Sequence, residues 1–178
     1  MERGEASDME NENVRLAEPP ALSILPPGFM RLAVLVSLLA AGMTFLAIAI
    51  GVKAWVMYLA WTAFGLGKEG IRGGLFAIAT MTIGVLIGML TLLGWEVLLP
   101  LTAAGALPIA VFVAVMLVFF LSLVPWLNNI PSFFLGLSTF FASQMPATAA
   151  TFLDLAAGIV LGTVAAILAL AVGRFCGE

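Results

Sequence analysis

Long apolar stretches separated by short turns occupy almost all of the chain after residue 30. Hydrophobic residues make up 63% of the 178 residues and the mean hydropathy is +1.19, whereas soluble domains are about half apolar. A helix needs roughly 20 apolar residues to cross a bilayer, and the turns here are too short to fold on their own. The sequence therefore predicts an all-α polytopic membrane domain.

Six stretches fit this description, and the second and fifth are short. We predict spans at about residues 32–50, 54–66, 75–94, 107–124, 130–142 and 152–175, within a membrane domain that covers residues 30–178. Residues 67–74 form the most polar turn of this domain, and the residues from 97 to about 106 are interpreted as a loop or an interfacial piece. The prediction is a six-helix transmembrane domain.

Residues 1–29 are predicted to form a disordered acidic tail in the cytoplasm. Six acidic residues and only two arginines lie in its first 20 positions, and such a segment is too charged to bury a core. Prolines at its end keep the chain extended before the first helix. A solvated leader is one interpretation of this tail, and a docking peptide for a soluble partner is the other.

The distribution of charge predicts the orientation, because basic residues favour the cytoplasmic side of a membrane. Six crossings would place on one side Arg3, Arg15, Arg31, Lys68, Arg72 and Arg174. The other side would hold Lys53, Glu96 and Asp154. We therefore expect both termini to be cytoplasmic, since five crossings would scatter these charges.

The residue types needed for most enzymatic chemistry are missing. The chain has no histidine, which is the commonest general base and metal ligand. Its single cysteine, Cys176, can form neither an internal disulfide nor a metal site alone. We expect no enzyme, no cofactor, no metal and no nucleic-acid partner.

Two segments of the chain look alike. Residues 54–90 and residues 130–168 each read as a short aromatic helix, a loop and a long helix with two glycines four positions apart. Three spans separate the corresponding elements, so the halves would be inverted, as in transporters with inverted repeats. Chance similarity of apolar helices is the alternative.

Helix packing, within one protomer or across an oligomer, is expected at Gly84, Gly88, Gly158 and Gly162.

The two short helices carry the side chains best suited to line a solute path. Uncharged polar groups beside aromatic walls suit small neutral or anionic solutes. The alternative is an aromatic belt plus a helix cap, with Asn129 as the cap before Pro131. The candidate path residues are Trp55, Tyr58, Trp61, Thr62, Asn128, Asn129, Ser132, Ser138 and Thr139. A conduit requires five of them to converge on one wet cavity: Trp55, Tyr58, Thr62, Asn129 and Ser132.

Asp154 is the acid expected to reach into the membrane, in the first turn of the last span. Acids inside membranes are costly and usually functional, but a helix N-terminus also stabilises an acid. Lys53, on the same predicted side, would reduce the cost further. A structural ion pair and a gate or proton site are both open interpretations.

In the polar turn, Arg72 is most simply a membrane anchor, and the neighbouring glycines are an alternative backbone nest for an anion.

These motifs resemble a family of bacterial inner-membrane proteins, the family of domain of unknown function 1097. The resemblance rests on AWVMYLAWTAFGLGKEGIRGGLFAIATMTIGVLIG, on LNNIPSFFLGLSTFFA and on the closing GIVLG, and covers about residues 31–175. The pattern is distantly similar to the membrane halves of fusaric-acid-resistance and aromatic-acid exporters and of plant malate channels. That resemblance implies six spans per unit, dimeric association and transport of anions or weak acids.

These observations favour an inner-membrane channel or facilitator for a small neutral or weakly acidic solute. Without histidine, passive conduction is favoured over proton-driven pumping. The expected partners are the lipid bilayer, the solute and further copies of the chain. The alternative is a non-transporting accessory or scaffold subunit of a larger membrane complex, with the acidic tail as its contact.

Overall fold

The computed structural model describes residues 28–67 and 70–177, and these residues contain helices and turns but no β-strand. The six α-helices are α1 Phe29–Ala49, α2 Ala54–Gly65, α3 Gly70–Thr102, α4 Ala106–Leu121, α5 Ile130–Ser143 and α6 Ala149–Gly177. A short 3-10 helix, Ala103–Gly105, lies between α3 and α4. The predicted acidic tail lies outside the described residues apart from its last two positions, and Phe29 already belongs to α1.

Within the described residues, three segments are long and apolar enough to cross a membrane: Phe29–Ala49, Gly70–Leu121 and Ala149–Phe175. The second segment is not one straight rod, because α4 folds back along α3. Ala114 and Val118 of α4 join Ile87 of α3 in one buried cluster. The chain therefore reverses direction between α3 and α4.

The second and fifth helices are the shortest, as the sequence predicted. α2 has 12 residues and α5 has 14, which correspond to about 18 and 21 Å. The hydrocarbon core of a bilayer is about 30 Å thick. Each short helix is therefore shorter than the hydrocarbon core is thick, and at one end or both it stops before the long helices do.

α3 is longer than predicted at both ends. It begins at Gly70, so that Arg72 lies in its first turn, and it continues through Pro100 to Thr102. The prediction of a loop from residue 97 is therefore wrong for residues 97–102, which are helical, while their interfacial location stays a prediction. An apolar segment keeps its backbone groups paired by remaining helical, and a proline near the helix end removes only one hydrogen bond. The reversal occurs at Ala103, which has a φ of 45°.

α5 packs against α3 at positions without side chains on α3. A Cβ atom on Gly84 would meet Phe133 and Gly136, and one on Gly88 would meet Phe140. Residue numbers rise together along both helices. α3 and α5 therefore run parallel, with α4 returning the chain between them.

α2 packs against α6 in the same way. A Cβ atom on Gly158 would meet Val56, and one on Gly162 would meet Met57 and Ala60. Residue numbers again rise together, so α2 and α6 run parallel. Each short helix thus lies on the long helix of the other half of the chain, and all four glycines pack within one protomer.

The helix directions sort the described charges into two ends of the bundle. Leu32 in the first turn of α1, Gly65 at the end of α2 and Arg174 in the last turn of α6 line one groove. We call this the arginine end; it also holds Arg31 and Arg72. At the opposite end, Lys53 before α2 contacts Asp154 in α6, and we call that the ion-pair end.

Candidate functional site

A cavity of about 710 Å³ opens at the arginine end, and we call it the Arg72 cavity. Its volume lies within the range of small-molecule sites. The lining residues come from the end of α2, the start of α3, the turn before α5 and the start of α5. They are Leu66, Arg72, Gly73, Phe76, Ala77, Pro125, Trp126, Asn128, Asn129, Ile130 and Pro131.

The cavity exists because α5 is short. Gly84 of α3 and Gly136 of α5 lie in contact where the two helices cross. From Gly84, the α3 axis runs about 18 Å back to Arg72, whereas α5 begins only about 9 Å before Gly136. The space below the start of α5 is closed on one side by the turn that contains Trp126.

Asn129 fixes the roof of this cavity. Its Oδ1 accepts a hydrogen bond from the backbone N–H of Ser132 at 3.3 Å, so Asn129 is the N-cap of α5. Its Nδ2 donates to the carbonyl oxygen of Leu66 at 3.3 Å. Asn129 therefore holds the start of α5 against the end of α2, while the neighbouring Asn128 is exposed and lines the cavity.

Positive charge and aromatic rings lie together in the cavity wall. The guanidinium carbon of Arg72 lies 5.7 Å from the ring centroid of Phe76. The Phe76 and Trp126 rings are 6.3 Å apart with an interplanar angle of 48°. Such a guanidinium can receive a carboxylate through two parallel hydrogen bonds. The parallel helices α3 and α5 also both present their N-terminal, positive dipole ends here.

Sequence reasoning missed Phe76 and Trp126 as candidate site residues, and it interpreted Arg72 as a membrane anchor and not as part of a solute path. The signal for Phe76 was present, since it follows Arg72 by four positions and so lies beside it on a helix. The only signal for Trp126 was its position in the turn before α5. No local pattern places that turn against the first turns of α3.

The predicted path residues do not share one cavity. Asn128 and Asn129 line the Arg72 cavity, whereas Trp61 lines a different groove between α1, α2 and α6. Trp55 packs, partly buried, against the central core cluster. The convergence of five side chains that a conduit through one protomer would require is absent from this conformation.

The other polar groups of α2 make contacts elsewhere. Tyr58 is 42% exposed, and its hydroxyl lies 2.7 Å from the hydroxyl of Thr44 in α1. The exposed Thr62 donates its hydroxyl to the carbonyl oxygen of Tyr58 at 3.0 Å. These side chains link α2 to α1 and to itself, because the opposite face of α2 is the one that packs against α6.

The polar residues of α5 are divided between core and surface. Thr139 is buried and donates to the carbonyl oxygen of Leu135 at 2.7 Å, while Ser138 is exposed. Ser132 is fully buried, and its hydroxyl has no hydrogen-bond partner among the described residues. It follows Pro131, which lines the Arg72 cavity. Within the described residues, Ser132 Oγ is thus a buried polar atom beside the cavity that lacks a hydrogen-bond partner.

At the ion-pair end, Lys53 joins three parts of the chain. Its Nζ lies 3.1 Å from Asp154 Oδ2 and 3.1 Å from the sulfur of Met145. The Lys53 and Asp154 side chains are 35% and 29% exposed. Together these contacts connect α2, α6 and the turn between α5 and α6.

Asp154 lies in the second turn of α6, so the prediction of a first-turn position is wrong. α6 begins at Ala149 because Thr148 caps it, with its hydroxyl accepting from the backbone N–H of Thr151 at 3.3 Å. The helix dipole acts mainly within the first turn. The charge that stabilises the Asp154 carboxylate most directly is therefore that of Lys53.

Among the described residues, no group of three or more cysteine or acidic side chains could hold a metal ion.

Apolar helices of membrane-spanning length, an all-helical bundle and a cavity at one end define an integral α-helical membrane protein. Within that class, the profile of the family described as Protein of unknown function (DUF1097) matches residues 33–170, and the chain belongs to this family. The family resemblance predicted from the sequence is thus confirmed, while the distant relation to exporters stays a prediction. No curated protein and no solved structure matches the chain.

Proposed function

We propose that the chain is a six-span inner-membrane facilitator for a small neutral or weakly acidic solute, with the Arg72 cavity as its cytoplasmic mouth. The observation that carries this proposal is the cavity of about 710 Å³, which combines the Arg72 guanidinium, the Asn128 amide and aromatic walls. A conduit needs such a solute-sized opening at a membrane face, and a passive scaffold does not.

The helix directions support six crossings. Parallel α3 and α5 are separated by the returning α4, and parallel α2 and α6 lie at the same two ends. Both parallel pairs are expected if the six helices cross the membrane in alternating directions. Arg31, Arg72 and Arg174 then lie on one side, which the preference of basic residues identifies as the cytoplasm.

The packing also supports an inverted repeat, but in a different register from the one that the sequence suggested. Gly84 approaches the carbonyl oxygen of Phe133, and Gly162 approaches that of Met57. These contacts pair Gly84 with Gly162, whereas sequence similarity pairs it with Gly158. In each half, the short helix packs against the long helix of the other half. Transporters with inverted repeats place their substrate path at such an interface between the two halves.

The chemistry of the cavity favours a weak acid over a neutral solute. The Arg72 guanidinium would hold the carboxylate, and the faces of Phe76 and Trp126 would accept an apolar body. At the mouth the acid would exchange its proton with the surrounding water, and the neutral form would then enter the apolar interior. Conduction is passive in this proposal.

In the present conformation the path is closed beyond the cavity. The Gly84–Gly136 contact closes the space between α3 and α5, and the Lys53–Asp154 pair ties α2 to α6 at the far end. A solute would pass only when α5 moves away from α3, or along an interface between copies in an oligomer. Lys53 contacts both Asp154 in α6 and Met145 in the turn after α5, so in the proposal Lys53 and Asp154 act as a latch on this movement.

One observation favours the alternative, a non-transporting accessory subunit of a larger complex. The predicted path residues do not converge on one cavity: Trp55 and Trp61 pack in different clusters, and Asn128 and Asn129 line the Arg72 cavity without them. A bundle that serves only as a scaffold needs no such convergence. In that case the acidic tail would be the contact for a soluble partner. Enzymatic activity is part of neither proposal.

Flux into liposomes tests the two proposals against each other. Purified protein is reconstituted, and uptake of benzoate, lactate, acetate and glycerol is measured for the native chain and for two variants. Arg72→Gln removes the charge from the cavity, and Arg31→Gln removes a charge at the same end but outside it. Loss of a charge-assisted hydrogen bond of about 1.5–3 kcal/mol predicts at least about a tenfold drop in benzoate uptake for Arg72→Gln, with Arg31→Gln near the native rate.

The outcome separates the proposals. Equal uptake by the two variants would remove Arg72 from the path. Uptake no faster than into protein-free liposomes for all four solutes, by protein that still unfolds cooperatively, would favour the accessory subunit.

A further inference from the structure

A second concavity of about 440 Å³ lies at the arginine end, between the flanks of α1, α2 and α6. We call it the lateral groove. Its walls are apolar and aromatic, and a single arginine closes one end. The residues that define it are Leu32, Val36, Trp61, Phe64, Leu170 and Arg174.

The groove forms because α1 contacts the bundle along only part of its length. Met43 and Ala47, in the C-terminal half of α1, are buried against α2 and Ala165 of α6. Towards its N-terminus α1 faces small residues of α6, Ala169 and Gly173, which leave room between the helices. The small side chains of α6 therefore contribute to the gap, and a Cβ atom on Gly173 would meet nothing within 4 Å.

The dimensions of the groove match one membrane leaflet. From Ala166 to Arg174 the α6 axis rises by about 12 Å. One leaflet of the hydrocarbon core is about 15 Å thick. Arg174 lies in the last turn of α6, where a long side chain reaches the headgroup region. An apolar channel of leaflet depth with a cation at its polar end has the shape and charge of a phospholipid site.

We propose that the lateral groove binds one anionic phospholipid, with an acyl chain between α1 and α6 and the phosphate at Arg174. Basic pockets between membrane helices on the cytoplasmic side are suited to anionic headgroups. This proposal shares the membrane orientation of the proposed function but does not require transport, because the lateral groove and the Arg72 cavity have no lining residue in common. The bound lipid would fix the N-terminal half of α1 to the bundle.

Native mass spectrometry of the purified full chain tests the site with phosphatidylglycerol and phosphatidylcholine of the same chain length. The native chain should retain one phosphatidylglycerol in preference to phosphatidylcholine. Arg174→Gln should weaken phosphatidylglycerol binding about fivefold, the effect of one basic residue at a membrane surface. Arg31→Gln, the loss of a charge at the same end at a residue that does not line the groove, should leave it unchanged.

A second pair of variants tests the acyl-chain contact. Gly173→Leu should fill the groove and abolish retention, because a Cβ there meets no atom within 4 Å and the larger side chain has room. Gly94→Leu is the matched control, since its Cβ also meets nothing within 4 Å and Gly94 lies outside the groove.

Three results would overturn the proposal. They are equal retention of the two lipids, equal losses with Arg174→Gln and Arg31→Gln, and displacement of the bound lipid by free glycerol phosphate at equal concentration. The first two would indicate nonspecific binding, and the third would make the site one for a phosphate alone.

Discussion

The two crossings of a short helix on a long helix are built on the same plan, but they differ in how much change they tolerate. At the α3–α5 crossing both helices contribute a glycine. Gly84 lies against the carbonyl oxygen of Phe133, and Gly136 lies against that of Met81. The backbones of α3 and α5 are therefore in direct contact at both glycines.

At the α2–α6 crossing only the long helix contributes glycines. Gly162 lies against the carbonyl oxygen of Met57, but the residue opposite is Ala60, whose methyl group fills part of the contact. Gly158 meets only side-chain atoms of its neighbours. Helices in lipid associate mainly through close packing. The α3–α5 crossing is therefore the more exacting of the two, and it is also the one that closes the path above the Arg72 cavity.

The largest effect is expected for Gly136→Ala. The added Cβ would strike the Met81 carbonyl and the Val85 amide, neither of which can move without bending α3. We expect a loss of about 3 kcal/mol in the free energy of unfolding, at the upper end of overpacking costs. Unfolding by SDS titration measures it, with Gly94→Ala, a site with open space, as the control. If the two variants are equally stable, the backbone contact at Gly136 is absent.

A smaller loss, about 2 kcal/mol, is expected for Gly162→Ala. The new methyl group meets one carbonyl and the methyl group of Ala60, and α2, with only 12 residues, can shift more easily than α3. The same titration compares the two crossings directly. A larger loss for Gly162→Ala than for Gly136→Ala would reverse the order of the two crossings.

The smallest effect is expected at the ion-pair end, for Asp154→Asn. The pair is about one-third exposed on each side, and such ion pairs contribute less than about 1 kcal/mol. A double-mutant cycle with Lys53→Met isolates the coupling between the two side chains. A coupling larger than the loss measured for Gly162→Ala would mean that the pair contributes more than that glycine crossing to holding the halves together.

Local patterns were sufficient to predict much of the fold. The lengths of α2 and α5 follow from apolar runs bounded by glycine, lysine and asparagine, and the cap at Asn129 follows from the residues just after it. The four paired glycines are indeed contact positions. In each case the physical cause acts over a few neighbouring residues.

The candidate site could not be predicted in this way, because it depends on how far each helix extends beyond a crossing. The extension of α3 to Gly70 places Arg72 beside Phe76 inside a helix, where the sequence suggested a turn. Tyr58 was assigned to a solute path by its spacing, but the packing of α2 on α6 turns it towards α1. Residue spacing gives the relative directions of side chains on one helix, and only packing decides which neighbour they meet.

The central claim is that the two short helices cross the membrane and so place the arginine end and the ion-pair end on opposite sides. Labelling of single cysteines in intact cells by a membrane-impermeant maleimide, in the Cys176→Ser background, tests it most directly. Ile50→Cys and Leu66→Cys flank α2, and Asn128→Cys and Ala149→Cys flank α5; all four positions are exposed. The account predicts labelling from outside at residues 50 and 149 only, and labelling at residues 66 and 128 only after the cells are opened. The same accessibility at both ends of either short helix would contradict it.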